Sequence, residues 1–131
     1  MTPSPIVILP SETLQGAMEL MARKRVRHLP VVDGVGQLLG LVSDRDLRRA
    51  APSPIFSPDS NKAEEQMDHT TVERIMVRSP SVVTSTSTLK AAVQLLVEKK
   101  FGALPVVDGG KLVGIITPID LMKLWLKSQP A

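Results

Sequence analysis

Apolar positions along the chain follow two rhythms. Ile6-Val7-Ile8-Leu9 is a short β-branched run between Pro5 and Pro10, and it predicts a strand. Leu14, Ala17, Met18 and Met21 then recur at i, i+3, i+4 and i+7, one face of an amphipathic helix that runs to about Arg25. Ser11 or Thr13 can cap it, and Arg23, Lys24 and Arg25 fall in its last turn, where cations suit the helix end. Leu29-Pro30-Val31-Val32 reads as a strand, with Pro30 expected at a strand edge or start because it has no N–H to give. Asp33 to Gln37 makes a turn, Leu38 to Val42 returns as a second strand, and Asp44 to about Ala50 forms a short helix. The predicted unit is strand–helix–strand–strand–helix.

The pattern then repeats. Leu29-Pro30-Val31-Val32-Asp33-Gly34 recurs as Leu104-Pro105-Val106-Val107-Asp108-Gly109, and Gly40-Leu41-Val42-Ser43 as Gly114-Ile115-Ile116-Thr117. The offset is 75 at Leu29/Leu104 and 74 at Gly40/Gly114, so one residue is lost in the turn. Ser81 to Thr84 matches the first strand, and Leu89, Ala92, Val93 and Leu96 match the first helix face. Ala103–Val107 and Lys111–Ile116 predict the second hairpin, and Pro118 to about Ser128 the last helix. Between the copies, residues 52–70 hold Pro52, Pro54 and Pro58 among Ser, Asp and Asn, and read as a linker with one helical turn near 61–66. The repeats are assigned to residues 1–51 and 71–131, with Val72 to Met76 leading into the second. Each is too small to bury a comfortable core alone, so the two are expected to pack about a pseudo-two-fold axis. Leu121, Met122, Leu124, Trp125 and Leu126 surround most of the last helix, which calls for cover from a partner chain, a homodimer being the simplest; the alternative is a frayed tail.

Composition narrows the function classes. Aromatic residues are Phe56, Phe101 and Trp125 alone, so the core must be Val, Leu, Ile, Met and Ala. The absence of Cys excludes disulfides and thiolate chemistry, and two His make a His-rich metal site implausible. The net charge of +3 is mild and argues against nucleic acid as a main partner, though Arg23–Arg27 and Arg45–Arg49 keep that reading open. No apolar run suits a bilayer span and no leader pattern is present, so a cytoplasmic protein is expected. No Walker A loop, Gly-x-Gly-x-x-Gly or Ser/His/Asp set supports an enzyme.

Two stretches carry candidate chemistry: Ser43-x-x-Asp46 and Thr117-x-x-Asp120. Each follows a strand and opens a helix. One reading is a capping box, with Pro118 at the favoured first helical position. The other is a ligand site: the helix start suits an anion, the hydroxyl can bond a phosphate or sugar oxygen, and the acid can accept from vicinal ribose hydroxyls. Basic residues are unevenly shared. Arg27, His28 and Arg45 belong to the first copy, and Gly102, Ala103 and Ile119 stand at those places in the second.

The repeated Leu-Pro-Val-Val-Asp, followed by Gly-Leu-Val-Ser-Asp-Arg-Asp-Leu or Gly-Ile-Ile-Thr-Pro-Ile-Asp-Leu, resembles the cystathionine-β-synthase (CBS) domain. The tandem arrangement is similar to a Bateman module, above all to stand-alone bacterial forms such as the acetoin-utilisation type. The resemblance implies an α/β (α+β) fold of two βαββα units and dimerisation into a disc. It also implies a non-enzymatic sensor that holds AMP, ADP, ATP or S-adenosylmethionine in clefts between the repeats and signals to a protein target. Carried over by position, the ribose acid falls on Asp46 and Asp120 and the hydroxyl on Ser43 and Thr117. Base or phosphate contacts fall on the residues before the Pro, Arg27, His28 and Leu29, and Gly102, Ala103 and Leu104, with Pro30 and Pro105 counted in the site; the first-strand border falls on Ile8 and Leu9, and on Val83 and Thr84. Arg45 is the added cation of the first copy. The competing expectation is a ligand-free dimerisation or scaffold module in which both junctions are only caps.

Overall fold

The computed structural model describes residues 2–3, 5–50, 69–99 and 102–130. The helical turn expected near 61–66, most of the linker, Phe56 and Phe101 lie outside these residues. In chain order the elements are β1 (Thr2–Pro3), α1 (Leu14–Lys24), β2 (His28–Val32), β3 (Leu38–Ser43), α2 (Asp44–Ala50), α3 (Val72–Ile75), β4 (Val77–Arg78), α4 (Leu89–Lys99), β5 (Leu104–Asp108), β6 (Lys111–Ile116) and α5 (Pro118–Ser128). They form two compact units, one of Ile6–Ser79 and one of Met1–Pro5 with Pro80–Ala131.

The first unit is built on the antiparallel hairpin β2–β3, whose outer edge pairs with β4. Helix α1 starts where Thr13 accepts from Gly16 N–H at 3.0 Å. It ends at Arg25, which adopts the left-handed region (φ 55°) while its N–H reaches the Met21 carbonyl. That helix buries Leu14, Ala17 and Met21, but leaves Met18 39% exposed, so the sheet covers only part of the stripe. Leu29, Val31, Val42 and Leu47 close the core beneath it. The Val72–Met76 segment, which leads into the second repeat along the chain, packs here. Val72 and Met76 are buried in this core, and the Val72 and Glu73 amides donate to the Glu12 and Pro10 carbonyls. The exposed edge of β3 explains the choice, because its N–H and C=O groups need a strand partner and β4 supplies one.

Two predicted strands shrink to single bridges. Ile8 donates to the Pro30 carbonyl and accepts from Val32 N–H, both at 3.0 Å, forming one parallel bridge to Val31. Val83 does the same with Pro105 and Val107, at 3.1 and 2.8 Å. Proline on both sides of the Ile6–Leu9 run limits the donors a longer ladder would need. The bridges also fit the place of Pro30 on β2, the edge strand of the β2–β3–β4 sheet, as expected for a residue with no N–H. The N and C=O of one residue point to the same side of a strand. Pro30 offers its carbonyl to Ile8, so its missing donor faces this one-residue ladder and costs the β2–β3 pairing nothing.

The second unit repeats the hairpin as β5–β6, with β1 on the outer edge of β6 through Thr2↔Ile115 and Pro3↔Gly114. The segment at the chain start thus serves the second repeat's sheet, and the segment before the second repeat serves the first. The lost residue lies in the turn. Gly109 and Gly110 have φ of 59° and 83°, the all-positive pair of a two-residue hairpin turn. The longer first turn is braced by Asp33, whose Oδ1 accepts from Val35 and Gln37 N–H at 3.0 and 2.9 Å. Asp108 has no such duty and accepts from Ser85 N–H at 3.0 Å.

Candidate functional site

The β2–β3 register assembles the first junction. His28 lies opposite Ser43, the last residue of β3, and the Asp44 amide donates to the Arg27 carbonyl at 2.9 Å. Arg27 and His28 are therefore beside the turn into α2. Ser43 N–H donates to Asp46 Oδ2 at 2.9 Å, and Asp46 N–H to Ser43 Oγ at 3.1 Å. Arg27 and Arg45 are exposed, and neither is in an ion pair among the described residues. Half-burial lowers the His28 pKa from 6.5; the carboxylates of Asp44 and Asp46 oppose that shift, and Arg27 adds to it. Ile8 is buried in the core and hydrogen-bonded to Pro30, which is nearly inaccessible, so neither presents a side-chain surface at the junction.

The second junction has the same form. Thr117 N–H donates to Asp120 Oδ2 at 2.9 Å and Asp120 N–H to Thr117 Oγ1 at 3.4 Å, a complete capping box with Pro118 following. Extending the Leu104↔Ile116 register brings Ala103 level with Thr117. Ala103 and Pro105 are buried, and Gly102 is exposed.

The capping reading is therefore realised at both junctions, and it does not exclude the ligand reading. In each box one carboxylate oxygen holds the backbone N–H. The other has no partner among the described residues, and an ionised carboxylate offers about four acceptor sites in all. The box fixes the orientation of the acid and leaves it able to accept further hydroxyls.

Asp120 lines a cavity of about 210 Å³ within the second unit. Thr84 lines it too, so these two sequence-derived residues share one wall. Position-by-position reasoning missed Ser85, Ser87 and Thr88, which line the same space. The unbroken hydroxyl row Thr84–Thr88 was the available signal. Thr84 N–H donates to Ser87 Oγ at 2.9 Å and Ala91 N–H to Thr88 Oγ1 at 3.1 Å, so the row caps the entry to α4. A second, apolar groove of about 360 Å³ runs between α4 and α5, lined by Val93, Val97, Met122 and Trp125 among others.

Two copies of a hairpin-and-helix unit, each ending in a hydroxyl–acid box, define a tandem-repeat α+β module. The model of the CBS domain matches residues 1–53 and 72–127, and the chain belongs to the CBS-domain family. A CBS domain-containing protein of Dictyostelium discoideum is 37% identical over 117 residues, 88% of this chain and 80% of that protein. CBSX2, a chloroplastic protein of Arabidopsis thaliana, is 37% identical over 139 residues, 92% of this chain but 58% of that one. The structure of CBSX2 in complex with AMP matches with a TM-score of 0.81 and 38% identity, covering 97% of this chain and 93% of that one. A Vibrio cholerae structure named as an acetoin utilization protein (AcuB) gives a TM-score of 0.80 at 32% identity, covering 97% and 88%. Among the described residues no helix is long and apolar enough to cross a membrane.

Proposed function

We propose that this chain is a cytoplasmic, non-enzymatic regulatory module that binds an adenosine-containing ligand, with Asp46 and Asp120 each accepting the vicinal hydroxyls of a ribose. The observation that carries this reading is the oriented carboxylate with an open oxygen at both junctions, one of them in a cavity wall. The likeness to CBSX2, a protein solved with AMP, supports adenine nucleotides as the first candidates. AMP, ADP, ATP and S-adenosylmethionine all present the required ribose. Arg27 and Arg45 supply the first site with cations for a phosphate, and His28 adds an imidazole. The exposed apolar residues of α5, with Trp125 62% and Leu126 64% exposed, support a homodimer that covers this face and relays ligand binding to a protein target.

Isothermal titration with AMP, ATP and S-adenosylmethionine tests the sites. Wild type should bind at least one of them, and Asp46→Ala and Asp120→Ala should each remove binding at one site. Equal binding by all three proteins rejects the assignment. The rival reading, a ligand-free scaffold, draws on the fact that both boxes are closed by their own partners. It predicts that nucleotides leave the melting temperature unchanged, whereas tight binding to the native state must raise it.

A further inference from the structure

We propose that the cavity of the second unit selects an adenosine ligand whose 5′ substituent is neutral or cationic, such as a sulfonium, over one ending in phosphate. This rests on the adenosine reading above and adds the charge class of the ligand.

The cavity, at about 210 Å³, is smaller than the roughly 300–1,000 Å³ of pockets that enclose whole drug-sized ligands. It suits a nucleoside-sized portion. Asp120 is the one charged residue among its described lining residues. The other polar lining residues are the hydroxyl residues Thr84, Ser85, Ser87 and Thr88, which can bond sugar or base atoms but cannot neutralise a phosphate.

A second carboxylate, exposed to solvent and outside the lining, is tied to it through Ser85. Asp108 accepts from the backbone of Ser85, and the Ser85 hydrogen bonds hold its pKa below the ordinary carboxylate value, so it is ionised at neutral pH. Its availability follows from the shortened turn. The two-residue Gly109-Gly110 turn frees the side chain, whereas the equivalent Asp33 is used up bracing its own longer turn. Lys111 is the ladder partner of Asp108, yet it forms no ion pair with it and does not line the cavity. Among the described residues a phosphate here meets the Asp120 carboxylate and no lining cation, and the exposed Asp108 outside the lining adds only a solvent-screened repulsion; a sulfonium is attracted. The first junction differs in the opposite sense, because Arg27, His28 and Arg45 stand where the second has Gly102, Ala103 and Ile119.

The test is calorimetric titration of the full chain carrying Asp46→Ala, which leaves the Asp120 site. The probes are adenosine, AMP, S-adenosylmethionine and S-adenosylhomocysteine; the last two differ by the methyl group that makes the sulfur cationic. S-adenosylmethionine should bind more tightly than S-adenosylhomocysteine, and AMP more weakly than adenosine by about threefold or more, with both gaps closing in high salt. Asp108→Asn keeps an acceptor for Ser85 N–H and should narrow both gaps only slightly, because the Asp108 charge is exposed and screened. Tighter binding of AMP than adenosine at a site that Asp120→Ala abolishes overturns this inference and leaves the adenosine reading standing. Binding of every probe that survives Asp120→Ala overturns the site itself.

Discussion

Gly40 offers a direct check on how the first unit is assembled. A methyl group built on it would lie 2.6 Å from Met76 Sδ, 2.9 Å from Met76 Cγ and 2.8 Å from the Val77 carbonyl oxygen. All three distances are shorter than real contacts of this type allow. The Met76 side chain can shift, although it is only 8% exposed. The carbonyl cannot shift without moving β4, which is held to β3 by the pairs Gly40↔Arg78 and Leu41↔Val77. Overpacking of this kind costs about 1–3 kcal/mol, so Gly40→Ala should lose about 2 kcal/mol. In a chain of this size that lowers Tm by roughly 5–10 °C. Gly34 is the control: a methyl group placed there has nothing within 4 Å, and its φ is not positive. Gly34→Ala should be neutral or stabilising by up to about 1 kcal/mol, through lost freedom of the unfolded chain. Guanidinium denaturation followed by circular dichroism reads both variants as shifts of midpoint at constant slope. Adding Met76→Ala to Gly40→Ala removes two of the three clashes, so the two changes should be non-additive by about 0.5 kcal/mol or more. If Gly40→Ala unfolds within about 0.5 kcal/mol of wild type, the docking of residues 72–78 on β3 is wrong.

Other consequences are equally specific. Leu104 is fully buried at the start of β5, and Leu104→Ala should cost about 2–5 kcal/mol in the same assay. Asp120→Ala breaks the box at α5 and should cost about 1 kcal/mol without ligand, measured as a melting shift. The His28 pKa is lowered, chiefly by burial, so the native chain takes up its proton later than the unfolded chain as pH falls. Its contribution to stability is therefore full above the unfolded value of 6.5 and is lost as pH falls through the lowered folded value. His28→Gln should flatten denaturation midpoints measured between about pH 7 and pH 5, and an unchanged slope would count against the burial argument. Trp125→Glu should turn the proposed dimer into a folded monomer by light scattering, because Trp125 is exposed on α5 and contributes little to the fold of its own chain. A variant that stays dimeric would place the partner elsewhere.

The local geometry of the candidate site was largely legible in the residues alone. Ser43/Asp46 and Thr117/Asp120 were marked by spacing, and the structure closes both as reciprocal hydrogen-bonded boxes. This works because a cap is a local device: four consecutive residues contain all its partners. The loss of one residue in the second turn was equally visible. Its consequence was not, since the freed Asp108 meets Ser85, 23 positions away in the chain. The cavity was similarly hidden, because its wall joins the entry to α4 with the first turns of α5.

The sequence by itself determined the order of the main helices and hairpins, the bounds of α1, α5 and both hairpins, and the acid and hydroxyl of each junction. These depend on periodicity, turn residues and caps, whose physics acts over a few residues. Tertiary structure alone decided three further matters. It chose which part of each apolar stripe is covered, burying Ala92 and Leu96 on α4 while Leu89 and Val93 stay 50% and 38% exposed. It reduced the Ile6–Leu9 and Ser81–Thr84 runs to one bridge each. It also gave the Val72–Arg78 segment to the first repeat's sheet and Thr2–Pro3 to the second's. The physical reason is common to all three. A strand edge accepts any chain that satisfies its backbone groups, and which chain reaches it depends on the folded path rather than on local residue patterns.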